Sequence, residues 1–94
     1  MKVTHLRIYG KVQGIGFRSY VRSHARKLGL IGWVRNLPEG MVEAEVAGAD
    51  EKIHRLVELC KKGPLLAEVY SIDVDSMEKD FPYEDFVIRK EESL

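Results

Sequence analysis

The stretch Val3-Thr4-His5-Leu6-Arg7-Ile8-Tyr9-Gly10-Lys11-Val12-Gln13-Gly14-Ile15-Gly16-Phe17-Arg18-Ser19-Tyr20-Val21 changes its hydrophobic period partway along, and that change decides the fold. Over residues 3–9 apolar and polar residues alternate. Leu6 and Ile8 point one way and His5 and Arg7 the other, as in a half-buried strand. Gly10, Gly14 and Gly16 then punctuate a loop. From Phe17 the period lengthens: Phe17, Tyr20, Val21, Ala25 and Leu28 fall on one face of a helix, which Gly29 ends.

Downstream the same two periods recur in an order that closes the topology. Residues 31–36 read as a second strand and Leu37-Pro38-Glu39-Gly40 as a turn. Residues 41–47 read as a third strand, hairpinned to the second, with Val42, Ala44 and Val46 inward and Glu43 and Glu45 outward in solvent. Gly48-Ala49-Asp50 opens a second helix, with Asp50 as its expected N-cap. Ile53, Leu56, Val57 and Cys60 form that helix's buried stripe, and Gly63-Pro64 stops it. Residues 68–76 alternate again, with Tyr70, Ile72 and Val74 on one face. Residues 77–85 read as a polar stretch and 86–89 as a short last strand. Residues 1–90 are expected to form a single domain and 91–94 a flexible tail. The order predicts an α+β, ferredoxin-like βαββαβ two-layer sandwich. Its sheet is mostly antiparallel, four strands plus a short fifth, with two helices on one face.

The chain of 94 residues suffices for one two-layer core. Its 15 Lys and Arg balance 15 Asp and Glu, so no global charge draws it to nucleic acid or to an anionic membrane, and neither is expected as a partner. No apolar run approaches the ~18 residues of a membrane span. The first ten residues already alternate as a strand, so no signal peptide is expected. The single cysteine cannot form an internal disulfide, and a cytoplasmic monomer is the simplest expectation. The chain holds one Gln, Gln13, and one Asn, Asn36; both lie in the segments that carry the site signals.

The first signal is residues 10–18. A strand ends, a glycine-rich loop follows and a helix begins. The first amides of a helix have no partner within it, and with the helix dipole they form an anion site. Glycines let successive N–H groups converge as a nest. Arg18 sharpens this reading, since a cation in a helix's first turn opposes the dipole unless an anion joins them. A phosphate would satisfy both the amides and the guanidinium. A tight loop with a solvated arginine accounts for the same residues. The second signal is Asn36, at the end of a strand just before a turn, where asparagine is also an ordinary turn residue. In the expected fold the first and second strands run the same way, so their carboxyl ends share one edge, where ligands commonly bind. Asn36 can then meet the loop that carries Arg18, and its amide can orient a water.

Both segments closely resemble the acylphosphatase family. Gly10-x-Val12-Gln13-Gly14-x-Gly16-Phe17-Arg18 is similar to its first signature, and Gly32-Trp33-Val34-x-Asn36 with Gly40-x-Val42-Glu43 to its second. The resemblance extends over nearly the whole chain in length and element order. It implies a ferredoxin-like fold and hydrolysis of the carboxyl–phosphate bond of small acyl phosphates by in-line water attack, without cofactor or metal. It also implies the roles: the backbone amides of Gln13, Gly14, Ile15, Gly16 and Phe17 hold the phosphate with Arg18, and Asn36 orients the water. Phosphate product or sulfate is then expected to occupy the loop. The alternative for the same residues is a non-catalytic, ferredoxin-like phosphoanion-binding or regulatory module. RNA binding is disfavoured, because Met41, Glu43, Glu45 and Ala47 occupy the outward positions of the third strand where aromatic platforms would stand. Cys60 reads as core, and His5, His24 and His54 lack metal-ligand spacing.

Overall fold

The computed structural model describes residues 1–90; the tail expected at 91–94 lies outside the described residues. The chain forms β1 (Lys2–Lys11), α1 (Phe17–Lys27), β2 (Ile31–Asn36), β3 (Val42–Ala47), α2 (Asp50–Lys62), β4 (Glu68–Glu78) and β5 (Phe86–Ile88). The sheet order is β4-β1-β3-β2-β5. β1 pairs antiparallel with both β3 and β4, β2 pairs antiparallel with β3, and β5 lies parallel to β2. Because β1 and β2 both oppose β3, they share a direction, and their carboxyl ends meet at one edge of the sheet. This is the ferredoxin-like βαββαβ sandwich, mostly antiparallel.

The alternation read from the sequence drives the packing. Leu6, Ile8, Val34, Val42, Ala44 and Val46 leave one face of the sheet and bury against Phe17, Val21 and Ala25 of α1 and Ile53, Leu56 and Cys60 of α2. Each large apolar side chain so buried contributes about 1.5–3 kcal/mol. Burial also pushes the Cys60 thiol up to about 12, so it stays a neutral core group. The Tyr20 hydroxyl ties the two helices together by donating to the Leu59 carbonyl at 2.8 Å.

The structure corrects the sequence reading at four places. Asp50 is not the N-cap of α2 but its first helical residue. The cap is Ala49, without a side-chain bond, and Asp50 with Glu51 instead complements the dipole from the first turn. The face shared by Tyr70, Ile72 and Val74 is interrupted, because the register slips between Tyr9 and Gly10, which pair with Ser71 and Val69. Tyr70 is the extra residue of a bulge and is 68% exposed, while Val69 and Ile72 pack on the core. Gly10 makes the bulge possible, with φ 139°, since a Cβ there would collide with the Glu68 carbonyl.

The third correction concerns Glu43 and Glu45. They point away from the helices as expected, yet they are buried, at 7% and 8% exposure. His5, Arg7 and Arg35 surround Glu43, while Trp33 Nε1 and Lys79 Nζ reach Glu45. The segment that brings Lys79 to Glu45 is the fourth correction. The stretch 77–85 is not simply polar surface: Met77 and Glu78 complete β4, and the following residues lead across the back of the sheet to β5 at its opposite edge. Phe81 packs there on Val3, Trp33 and Ala47, with Tyr83 beside it, forming a second, smaller apolar core. No helix among the described residues is long and apolar enough to cross a membrane.

Candidate active site

At the shared carboxyl edge β1 gives way to the loop that enters α1. Gly14 and Gly16 adopt φ of 77° and 82°, left-handed conformations that glycine reaches without strain. Gly16 is the N-cap of α1, contributes no side-chain cap, and is followed by a first turn free of acidic residues. Among the described residues no carbonyl accepts a hydrogen bond from the amides of Gly14, Ile15, Gly16 or Phe17. Four donors, backed by the positive end of the helix dipole, are thus left without an internal partner. Arg18 follows as the second residue of α1. Its half-buried side chain makes no ion pair or hydrogen bond with any described residue.

Asn36 closes β2 across the edge, in register with Val42. It is only 6% exposed, and its Oδ1 is buried with no partner among the described residues. A buried amide oxygen left unpaired costs roughly 1–3 kcal/mol, which favours a polar group arriving there from outside. The turn after Asn36 closes on itself through Leu37 N to Met41 O at 2.8 Å and Gly40 N to Leu37 O at 3.1 Å. Gln13 reaches over from the loop, and its Nε2 donates to Leu37 O at 2.7 Å and to Met41 O at 2.8 Å.

Between these elements lies a cleft of about 320 Å³. Gly14, Gly16, Phe17, Arg18 and Asn36, all expected from sequence, line it; Gln13 and Ile15 do not. Val12, which sequence reasoning placed in the cradling loop without a role of its own, lines it as well, as do Ser19 and Ile88, to which it assigned no place in the site. Ser19 was recoverable, being next to Arg18 in the first helical turn. Ile88 was not, because it arrives only through the parallel pairing of β5 with β2. Arg26 and Asp85 secure that strand. Arg26 pairs with Asp85 at 2.9 Å and also donates to Phe86 O at 3.1 Å, while Asp85 accepts from Phe86 N at 2.7 Å. This last bond, followed by the Arg26 pairing, holds the Asp85 carboxyl below the usual carboxylate range.

No carboxylate lines the cleft, and Arg18 is its cation among the described residues. Likewise, no group of three or more His, Cys, Asp or Glu among them is placed to hold a metal ion. Unpaired amides, one guanidinium and one amide side chain can accept an oxyanion and a water, and the apolar wall of Val12, Phe17 and Ile88 can take an uncharged substituent.

Fold and cleft together define a ferredoxin-like domain that presents an oxyanion-receptive strand–loop–helix edge. The acylphosphatase family model matches residues 4–88, and the chain belongs to the acylphosphatase family. An acylphosphatase of Thiobacillus denitrificans is 48% identical over 81 residues, which is 86% of this chain and 91% of that protein. An acylphosphatase of Thermococcus kodakarensis is 53% identical over 70 residues, 74% of this chain and 77% of that protein. The crystal structure of acylphosphatase from Bacillus subtilis superposes with a TM-score of 0.90 at 32% identity, covering 95% of this chain and 99% of that one.

Proposed function

We propose that this acyl phosphate hydrolase works in the cleft between the 12–18 loop and Asn36, with Arg18 and Asn36 as its catalytic residues. Hydrolysis of acyl phosphates is the activity of its family, and no observation favours a non-catalytic module. The observation that carries the site assignment is that Gly14, Gly16 and Phe17, whose amides lack an internal partner, meet the free Arg18 guanidinium and Asn36, with its buried, unpaired Oδ1, in one cleft.

The chemistry asks for little more. Water attacks phosphorus, the bond from phosphorus to the carboxyl oxygen breaks, and both water protons end on phosphate. The leaving carboxylate has a conjugate acid of pKa about 4 and departs at neutral pH without protonation, so no general acid is required. The transition state is loose, with its charge on the equatorial oxygens. Fixed donors suffice to stabilise it: the backbone amides of residues 13–17 and the Arg18 fork. Asn36 holds the water in line, a positioning effect. Phosphate product, or sulfate in its stead, occupies the same cradle. The enzyme uses no metal or cofactor. It acts as a cytoplasmic monomer, and its one cysteine, a buried free thiol, suits a reducing compartment.

Hydrolysis of benzoyl phosphate with a chelator present tests this reading. Turnover resistant to the chelator and inhibited competitively by inorganic phosphate is expected; turnover lost on chelation would overturn the metal-free mechanism.

A further inference from the structure

We infer that the Gln13 side chain is a positioning residue, a clamp that sets the distance between the phosphate cradle and the water-holding amide of Asn36. The inference rests on the proposed roles of those two parts. Gln13 is the first residue of the proposed cradle, to which it gives its backbone amide, and Leu37 immediately follows Asn36. One side-chain nitrogen therefore joins the two halves of the site, from within the cradle to the residue next to Asn36. Its two N–H groups are divided between Leu37 O at 2.7 Å and Met41 O at 2.8 Å, the two ends of the turn after β2. Among the described residues no backbone hydrogen bond joins 12–16 to 36–41, and the β1–β3 ladder ends at Ile8 and Val42. Both carbonyls already accept from the turn's own amides, so the turn keeps its internal closure when Gln13 is lost. What goes is the link between turn and cradle. In-line attack is sensitive to such a change, since a displacement of about 1 Å can cost on the order of a hundredfold in rate.

Gln13→Met keeps the length of the side chain and removes its donors. Gln13→Glu sets a carboxylate against two carbonyl oxygens. Both are expected to lower kcat by about tenfold to a hundredfold, while inhibition by inorganic phosphate shifts by less than about threefold, because the cradle amides remain. In an Asn36→Ala background Gln13→Met should change kcat by less than about twofold, since nothing is left to position. A further tenfold loss in that background, or a loss of phosphate affinity equal to the loss of kcat, would overturn the clamp.

The composition supplies a second readout that does not depend on turnover. With one Gln and one Asn in the chain, two side-chain amide pairs appear in a nitrogen–proton correlation spectrum. Gln13→Met removes one pair and should shift or broaden the Asn36 pair; an unmoved Asn36 pair would sink the inference. Full turnover by Asn36→Ala would refute the proposed role of Asn36 instead, and the spectrum would still decide whether Gln13 fixes it.

Discussion

Arg18 and Asn36 line the same cleft although one opens a helix and the other closes a strand. Their meeting follows from β1 and β2 sharing a direction. Arg18 supplies the cleft's positive side chain at a helix N-terminus, where an unpaired cation is otherwise disfavoured. Removing one preorganised oxyanion donor typically costs ~2.7–4 kcal/mol, and a bidentate charged donor should reach or exceed that. Arg18→Ala is expected to lower kcat/KM by on the order of a thousandfold and to weaken phosphate inhibition, with little change in thermal midpoint. Arg18→Lys keeps the charge but not the fork and should fall between. Steady-state kinetics on folded variants check this; wild-type rates in Arg18→Ala would remove the guanidinium from the mechanism.

Asn36 should behave differently. In the proposed mechanism its partner is water, so its loss should leave the cradle's grip on phosphate largely intact. Asn36→Ala is expected to lower kcat by about a hundredfold or more and to change the phosphate inhibition constant little. The substitution also deletes a buried oxygen that lacks a partner, so the folded state should be no less stable, and denaturant unfolding should show it. Equal losses of phosphate affinity in the Arg18 and Asn36 variants would refute this division of labour.

Much of this was legible before any coordinates, for identifiable reasons. The change of period at Phe17 placed α1, and the hairpin over Leu37–Gly40 placed Asn36 at a strand's end. Both are local signals. The rest depended on contacts between distant segments. Nothing in Phe81 or Tyr83 says that they cross the sheet to reach Val3 and Trp33. Alternation alone put Glu43 and Glu45 on the outer face, but it could not show that His5, Arg7 and Arg35 would enclose the first, or that Lys79 beyond β4 would reach the second. Ile88 entered the cleft by a parallel pairing that no run of residues announces. The scarcity of amides was informative, since the lone Gln ties the loop to the turn after β2 and the lone Asn lines the cleft.

The back of the sheet should be separable from the site. Phe81 is 9% exposed and closes the smaller core, on the face opposite the helices. Truncating a large buried aromatic typically costs ~3–5 kcal/mol, somewhat less where the cavity opens to solvent. Phe81→Ala is therefore expected to lower unfolding stability by about 2–4 kcal/mol while kcat and KM of the folded protein stay within about twofold of wild type. Urea unfolding alongside kinetics below the transition checks both halves. A large kinetic defect without a stability defect would tie this face to catalysis.

The Glu43 cluster gives that face a pH dependence whose sign can be worked out. Burial disfavours the Glu43 carboxylate, but hydrogen bonds from His5 and Arg35, both at 2.7 Å, outweigh it. The net effect holds the carboxyl below its ordinary value of 4.5. The folded pKa is the lower one, so as the solution is acidified the unfolded chain takes up this proton first. The stability contributed by the charged form is full above pH 4.5 and drains away as the pH falls through the folded value. At neutral pH Glu43→Gln removes the carboxylate that His5, Arg7 and Arg35 share, and should cost about 2–4 kcal/mol, near the lower end for breaking a buried pair because its partners keep some water. The gap between wild type and Glu43→Gln should then narrow steadily below pH 4.5, as the native carboxyl also becomes neutral. Urea titrations of both proteins from neutral to acid pH measure that gap. A gap that stayed constant through the acid limb would mean that the Glu43 charge contributes nothing to the fold.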